Sequence, residues 1–160
     1  MKLYFVRHAS ASAIAASDAA RELTSEGYEE ARVAGKALVK LGVKPARILS
    51  SPLLRARQTA EILGKELNSA VETLSELRND TSSSRLFKAV EAAGNENEIV
   101  LVGHMPSVSD HVAHLIGAGS GAGLAFGKGS VALVEANELK GGGGELRWLM
   151  RQKQLRELIS

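Results

Sequence analysis

Arginine and histidine side chains that follow apolar segments are the part of this 160-residue sequence that could do chemistry. Arg7 and His8 directly follow the apolar run at positions 3–6, and His104 follows a second such run at positions 99–102 with one glycine between. Both runs are typical of buried strands. Ligands bind at the carboxyl ends of strands in open α/β sheets, so we expect these three side chains to share one ligand site.

A second arginine, Arg55, is predicted to lie in the first turn of a helix that runs from Ser51-Pro52 to about Leu67. Serine can accept hydrogen bonds from the free amides of a helix start, and proline lacks the donor that would go unpaired there. The positive end of the helix would add to the field of the arginine. Guanidinium groups bind phosphate oxygens bidentately, so the set indicates a phosphate site.

Phosphoryl transfer is the reaction that such a set of side chains suits. Negative charge spreads over the equatorial oxygens of the transferred group, and two arginines can hold and neutralise it. An imidazole near pH 7, with its second nitrogen held by a backbone carbonyl, is a competent nucleophile. We expect His8 to take that role and His104, in its protonated form, to donate to the phosphate. This chemistry requires no metal, and no cofactor is expected.

The composition excludes several other classes of protein. The absence of cysteine excludes disulfides, thiolate catalysis and cysteine zinc sites. A net charge of +2 and few aromatic residues argue against a nucleic-acid partner. The four-residue apolar run at the amino terminus is too short for a signal peptide, and no run is long enough for a membrane span. We expect a soluble, cytoplasmic protein with one domain, residues 1–160.

Strands and helices alternate along the predicted chain. Strands are predicted at positions 2–6, 48–49, 71–74, 99–102, 130–135 and 145–149, and helices at about 25–41, 51–67, 86–93, 108–116 and 154–159. The first helix is expected to bury a face that includes Tyr28 and Leu41, and the glycine-rich span 117–129 is expected to be a flexible surface loop. The alternation favours a three-layer α/β/α sandwich with a mostly parallel central sheet.

Three segments resemble the signature motifs of the histidine phosphatase superfamily, which has the phosphoglycerate-mutase-like fold. They are Val6-Arg7-His8-Ala9, the ten residues SPLLRARQTA at 51–60, and Val102-Gly103-His104-Met105-Pro106. The segment 17–27 and the end of the chain resemble the branch of SixA-type phosphohistidine phosphatases. The resemblance implies that His8 becomes phosphorylated and is then freed by water, that Arg7 and Arg55 grip the phosphate, and that His104 stabilises it from the other side.

The resemblance extends to a basic position in the loop after the first strand. Arg21 matches it and is expected to approach the phosphate or the leaving protein, while Asp18 orients the loop. The sequence departs from many superfamily members by lacking a Gly-x-x-Glu-Gly segment, whose glutamate is the general acid. Glu76 is the nearest candidate acid. Imidazole is a better leaving group than an alkoxide, so the missing acid favours phosphohistidine as substrate.

Three functions remain open at this point. The first is a metal-independent phosphatase that acts on phosphohistidine in a protein such as a phosphorelay domain. The second keeps the mechanism but acts on a small phosphate ester or sugar phosphate. The third is a non-catalytic phosphate-binding regulatory module. The sequence leaves the oligomeric state open and is compatible with a monomer. His111 and His114 have a spacing found among metal ligands, but no third ligand accompanies them, so packed or exposed histidines are expected.

Overall fold

A six-stranded sheet lies between two layers of helices in the computed structural model, which describes residues 1–160. The strands are β1 (Lys2–Arg7), β2 (Arg47–Ser50), β3 (Val71–Thr73), β4 (Glu98–Gly103), β5 (Val131–Ala136) and β6 (Gly144–Met150). The helices are α1 (Ser25–Lys40), α2 (Leu54–Leu67), α3 (Ser83–Ala93), α4 (Ser107–Leu115) and α5 (Gln152–Ile159). The strand order is β3-β2-β4-β1-β5-β6, and β5 alone runs in the direction opposite to the other five strands. The predicted three-layer α/β sandwich is confirmed.

The central strands are apolar throughout because helices cover both of their faces. Leu3 and Phe5 of β1 pack in the half of the core that contains α3 and α4. Tyr4 and Val6, which alternate with them, pack in the half that contains α1, α2 and α5. Neighbouring β4 divides its side chains in the same way. A strand buried on both faces carries apolar side chains on both, which explains the continuous apolar runs in the sequence.

The register of the parallel strands brings their carboxyl ends to one edge of the sheet. Arg7 at the end of β1 pairs with Gly103 at the end of β4. One residue further on, the His8 amide donates to the Gly103 carbonyl at 3.0 Å. On the other side of β4, the Ser51 amide donates to the Val102 carbonyl at 3.0 Å. The residues that follow β1, β2 and β4 therefore begin side by side.

The start of α2 differs from the sequence prediction. The helix begins at Leu54 rather than Ser51, and no side chain caps it. The Ser51 hydroxyl accepts from the Leu53 amide at 3.3 Å, outside the helix. Ser51 cannot serve as the cap because it still pairs with β4 through its backbone. Arg55 nevertheless stands in the first turn of α2, as expected.

Helix α1 is capped as predicted and buries Ala31, Ala34 and Leu38 of the predicted face, but not its two end positions. The Thr24 hydroxyl accepts from the Gly27 amide at 3.0 Å. The predicted burial of Tyr28 and Leu41 is wrong, since each is 40% exposed. Leu41 lies past the last helical residue, and the Tyr28 hydroxyl reaches the surface, where it accepts from Gln58. Small side chains elsewhere on α1 allow it to pack closely against α2.

Two other predictions are changed near the end of the chain. Helix α5 starts two residues earlier than predicted, at Gln152. The span 117–129 is irregular, but Phe126 within it is only 3% exposed and packs in the core. The last part of this loop is therefore fixed against the sheet. None of the helices combines the length and the apolar character that a membrane span needs.

The contact between α1 and the loop after β1 yields a stability prediction. A Cβ atom at Gly27 would collide with the carbonyl oxygen of Ser10, which also accepts from the Thr24 amide. We expect Gly27→Ala to lower the free energy of unfolding by about 1–3 kcal/mol, although alanine favours helix. Gly119→Ala is the control, because nothing lies within 4 Å of its Cβ position. Denaturant unfolding of both variants measures this loss of stability. A Gly27→Ala variant more stable than wild type would contradict the prediction.

Candidate active site

His8 stands at the carboxyl end of β1 with one ring nitrogen fixed. Its Nδ1 lies 2.7 Å from the Ala9 carbonyl, which can only accept, so Nδ1 carries the proton and Nε2 the lone pair. Nε2 has no protein partner and is not sealed off from solvent. Burial lowers the pKa of His8 to about 3, and nearby His104, Arg55 and Arg7 also lower it. The imidazole is therefore neutral near pH 7, as a nucleophile must be.

The peptide after His8 is anchored to helix α2. The Ala9 amide donates to Thr59 Oγ1 at 3.1 Å, and the Thr59 hydroxyl donates in turn to the Arg55 carbonyl at 2.8 Å. All of these groups are buried. This link fixes the carbonyl that orients His8 relative to the helix that carries Arg55. Sequence reasoning missed the role of Thr59, although the residue lies within the motif that revealed Arg55.

His104 faces His8 across the same edge of the sheet, with ring centroids 5.1 Å apart. Its Nε2 lies 2.7 Å from the Ser51 hydroxyl. That hydroxyl also accepts from the Leu53 amide. When it donates its proton to Nε2, the ring proton of His104 lies on Nδ1. The Nδ1 atom is buried and has no protein partner, so in this tautomer it is a donor available to a ligand.

The protonation state of His104 differs from the expectation. Burial, with a further contribution from Arg55, lowers its pKa to about 4, while Asp18 opposes the shift. The side chain is 2% exposed and neutral near pH 7 rather than protonated. The sequence could not reveal this, because desolvation depends on the packing of the whole edge. A bound anion would raise the pKa again.

Each of the two predicted arginines forms hydrogen bonds through part of its guanidinium group and keeps one nitrogen donor without a partner. Arg55 donates from Nη1 to the Asp18 carbonyl at 2.8 Å and pairs through Nη2 with the Asp18 carboxylate at 3.3 Å. Arg7 donates from Nη1 to the Phe126 carbonyl at 2.8 Å. The Nε atoms of Arg7 and Arg55 are buried without a partner, like His104 Nδ1. Unpaired buried donors are costly, and an anion with several oxygens is the ligand that would satisfy them.

Arg21 joins this group through Asp18. It donates from Nε to the Ser12 carbonyl at 2.8 Å and pairs with the Asp18 carboxylate at 3.3 Å. The hydrogen bond from Arg21, followed by the charge of Arg55, holds the pKa of Asp18 below its usual value. Asp18 therefore connects the two arginines and links its loop to α2. The sequence indicated Asp18 only as a residue that orients the loop.

Glu76 and the remaining histidines lie outside this set of contacts. The half-buried Glu76 follows β3, and its carboxylate accepts from the Ser75 hydroxyl at 3.2 Å. It has no hydrogen bond to the arginines or histidines of the site. His111 is buried, pairs through Nδ1 with the Ser83 hydroxyl at 2.8 Å and packs against Phe87, as does His114. Of the two outcomes expected for these histidines, packed or exposed, the structure shows His111 buried and His114 half-buried.

Comparison with known proteins assigns the family of this chain. The sequence model of the histidine phosphatase superfamily (branch 1) matches residues 3–81. The phosphohistidine phosphatase SixA of Escherichia coli (strain K12) is 36% identical over 119 residues, which cover 72% of this chain and 74% of that protein. The chain belongs to the histidine phosphatase superfamily, and it is a phosphatase.

Solved structures agree with this assignment. The structure of the protein histidine phosphatase SixA complexed with tungstate superposes with a TM-score of 0.87 at 33% identity, covering 97% of this chain and 99% of that one. The alpha-ribazole phosphatase from Shigella flexneri superposes with a TM-score of 0.78 over 95% of this chain and 97% of that one. At 19% identity, the second likeness shows the fold alone.

The buried histidines should make the fold acid-sensitive. The folded pKa of His104, about 4, lies below the unfolded value of about 6.5. The unfolded chain then binds more protons, so stability is complete above about pH 6.5 and falls as the pH drops toward about 4. Between pH 7 and pH 5, we expect the free energy of unfolding to fall by about 2 kcal/mol less in His104→Asn than in wild type. Denaturant unfolding at the two pH values measures this difference. Equal losses would contradict the low pKa.

The hydrogen bond from Ser51 should hold His104 in its working tautomer. We expect Ser51→Ala to reduce turnover of a phosphoramidate up to about tenfold, because one neutral hydrogen bond contributes about 0.5–1.5 kcal/mol. Ser50→Ala is the matched control, since that buried hydroxyl donates only to the Ser51 carbonyl. Steady-state kinetics with both variants would test this. Equal losses in the two variants would show that His104 does not depend on the Ser51 hydroxyl.

Proposed function

We propose that this phosphatase removes phosphate from phosphohistidine in a protein, such as a phosphorelay domain, without a metal. The observation that carries the proposal is the fixed, neutral imidazole of His8, with Nε2 free and with His104 on the facing side. Beside it lie three buried donors without partners. A nucleophile next to donors for an anion is what phosphoryl transfer requires.

The reaction has two steps in this proposal. In the first, the Nε2 lone pair of His8 forms a bond to phosphorus while the bond from phosphorus to the substrate imidazole breaks. The leaving nitrogen takes the electron pair and then a proton. In the second, water attacks the phosphorus of phospho-His8, inorganic phosphate leaves, and Nε2 regains its lone pair. A hydrolysis of this kind balances without any oxidant or reductant.

The phosphate is held by the arginines and by His104 in both steps. Arg7 and Arg55 use the guanidinium donors that have no protein partner. His104 donates from Nδ1 to an equatorial oxygen. Arg21, which shares the Asp18 carboxylate with Arg55, lies close enough to join them or to contact the leaving protein. Two guanidinium groups supply the positive charge that a metal ion supplies to the phosphoryl group in other phosphatases.

The substrate class follows from the chemistry of the leaving group. An imidazole leaves phosphorus far more easily than an alkoxide does, so a general acid contributes little. The carboxylate of Glu76 is engaged with Ser75, and Asp18 has a lowered pKa and is ionised near pH 7. Asp18 is therefore not in the protonated form that a general acid needs, and Glu76 has no hydrogen bond to the histidines or arginines of the site, which fits phosphohistidine. The similar E. coli protein is named for this activity.

A small phosphate ester is the second candidate substrate. The same histidine and anion donors would serve the hydrolysis of such an ester. The third alternative, a binding module without activity, is not kept, because the chain is a phosphatase. The phosphorelay partner and a cytoplasmic location stay predictions.

The decisive experiment measures phosphate release from a histidine-phosphorylated phosphorelay domain in EDTA, beside a small phosphate ester. We expect fast release from the phosphoprotein, slow release from the ester and a loss of at least about a thousandfold in His8→Ala, because a nucleophile is removed. A preference for the ester that still depends on His8 would move the protein to small-molecule phosphatases. Activity that is lost in EDTA and restored by a metal ion would contradict metal independence.

A further inference from the structure

A basic groove lies where the loop before β5 meets the start of α5. It has a volume of about 460 Å³, and no hydrophobic residue lines it. Its walls carry three cationic side chains, Lys128, Arg151 and Lys153, and one carboxylate, Glu30. We call these three cations and the space between them the basic groove. Its charge is not required by the fold, because none of the three lies in the core.

The cations of the basic groove have no carboxylate partner in the protein. Lys128, Arg151 and Lys153 are exposed, and none of them forms an ion pair. The one carboxylate in the groove is already engaged. Glu30 is 7% exposed and accepts from the Ser10 amide at 2.7 Å and from the Ser10 hydroxyl at 3.1 Å. The groove therefore presents an excess of positive charge to solvent.

The basic groove lies against the segment of backbone that holds Arg7 of the phosphate site. Arg7 donates to the carbonyl of Phe126, the residue directly before Gly127. The Arg151 guanidinium lies against Gly127, since a Cβ atom there would be 3.2 Å from its Nε and Nη2. One stretch of backbone therefore separates the guanidinium of the site from that of the groove. The two guanidiniums are thus close enough for one protein surface to contact both.

We propose that the basic groove binds acidic side chains that flank the phosphohistidine on the surface of the protein substrate. The inference rests on the proposed function and names a feature of its substrate. Exposed lysines and an arginine on flexible stems suit carboxylates presented by a second protein surface. A surface patch of like charges beside a reactive site also raises the association rate of a partner with the opposite charge. The groove thus contributes to substrate choice rather than to the chemical step.

Charge reversal in the groove tests this inference. The double variant Lys128→Glu/Lys153→Glu leaves Arg151 in place, because the Arg151 guanidinium lies against the backbone at Gly127. The matched control, Lys36→Glu/Lys88→Glu, changes the same charge at exposed positions within α1 and α3. The substrates are a histidine-phosphorylated phosphorelay domain with acidic residues beside its histidine, and the small compound phosphoramidate. Thermal unfolding of each variant confirms that it folds.

We expect the groove variant to lose about tenfold or more in kcat/KM on the phosphoprotein, mostly through KM, with a weaker dependence on salt than wild type. Its kcat/KM on phosphoramidate should stay within about twofold of wild type, since that substrate does not reach the groove. The control variant should resemble wild type on both substrates. This pattern would establish the groove as a docking surface for an acidic partner.

Other outcomes would overturn the inference. Unchanged kcat/KM on the phosphoprotein in the groove variant would overturn it while leaving the proposed function intact. Equal losses on both substrates would assign the cations to the phosphate site and overturn docking. If only the turnover of a small bisphosphate depended on Lys128 and Lys153, the groove would bind a second phosphate group rather than carboxylates of a protein. A wild type without activity on either phosphorus–nitrogen substrate would overturn the proposed function itself.

Discussion

The parallel pairing of β1 with β4 is the constraint on which the active site depends. Because Arg7 pairs with Gly103, the two histidines that follow the strands are placed with their rings 5.1 Å apart. The register is fixed by the core, since slipping by one residue would exchange Leu3 and Tyr4 between the two halves of the hydrophobic interior. The energy that holds the catalytic geometry therefore comes from apolar side chains that take no part in the reaction.

Burial then sets the electrostatics of that edge. Two imidazoles enclosed beside two guanidiniums lose their affinity for protons, which keeps His8 neutral, as its proposed role as nucleophile requires. The only carboxylate on the arginines of the site belongs to Asp18, whose side chain is 68% exposed. Solvent screens such a pair, so it contributes little to stability. Arg55 can therefore exchange Asp18 for a phosphate at little cost, while its backbone stays held by Thr59.

The antiparallel pair β5 and β6 extends the same edge beyond the catalytic strands. Strand β5 begins where β1 ends, so the loop before it lies against Arg7, and β6 ends where β5 begins, which brings α5 alongside. Gln152 at the start of α5 donates to the carbonyls of Gly129 and Glu30 and so joins this extension to α1. The basic groove is a consequence of this topology, because the loop before β5 and the start of α5 meet beside α1.

Local chemistry in the sequence determined the strands, most of the helices and the four central side chains of the site. Apolar runs identify strands buried on both faces, and Arg7, His8, Arg55 and His104 stand directly at element ends, where position along the chain fixes position in space. Tertiary structure decided the rest, because it depends on groups distant in sequence. The Ser51 hydroxyl binds His104, which lies 53 residues away, instead of capping α2. Arg7 is held by a carbonyl 119 residues away, and His104 is neutral because the assembled edge excludes water from it.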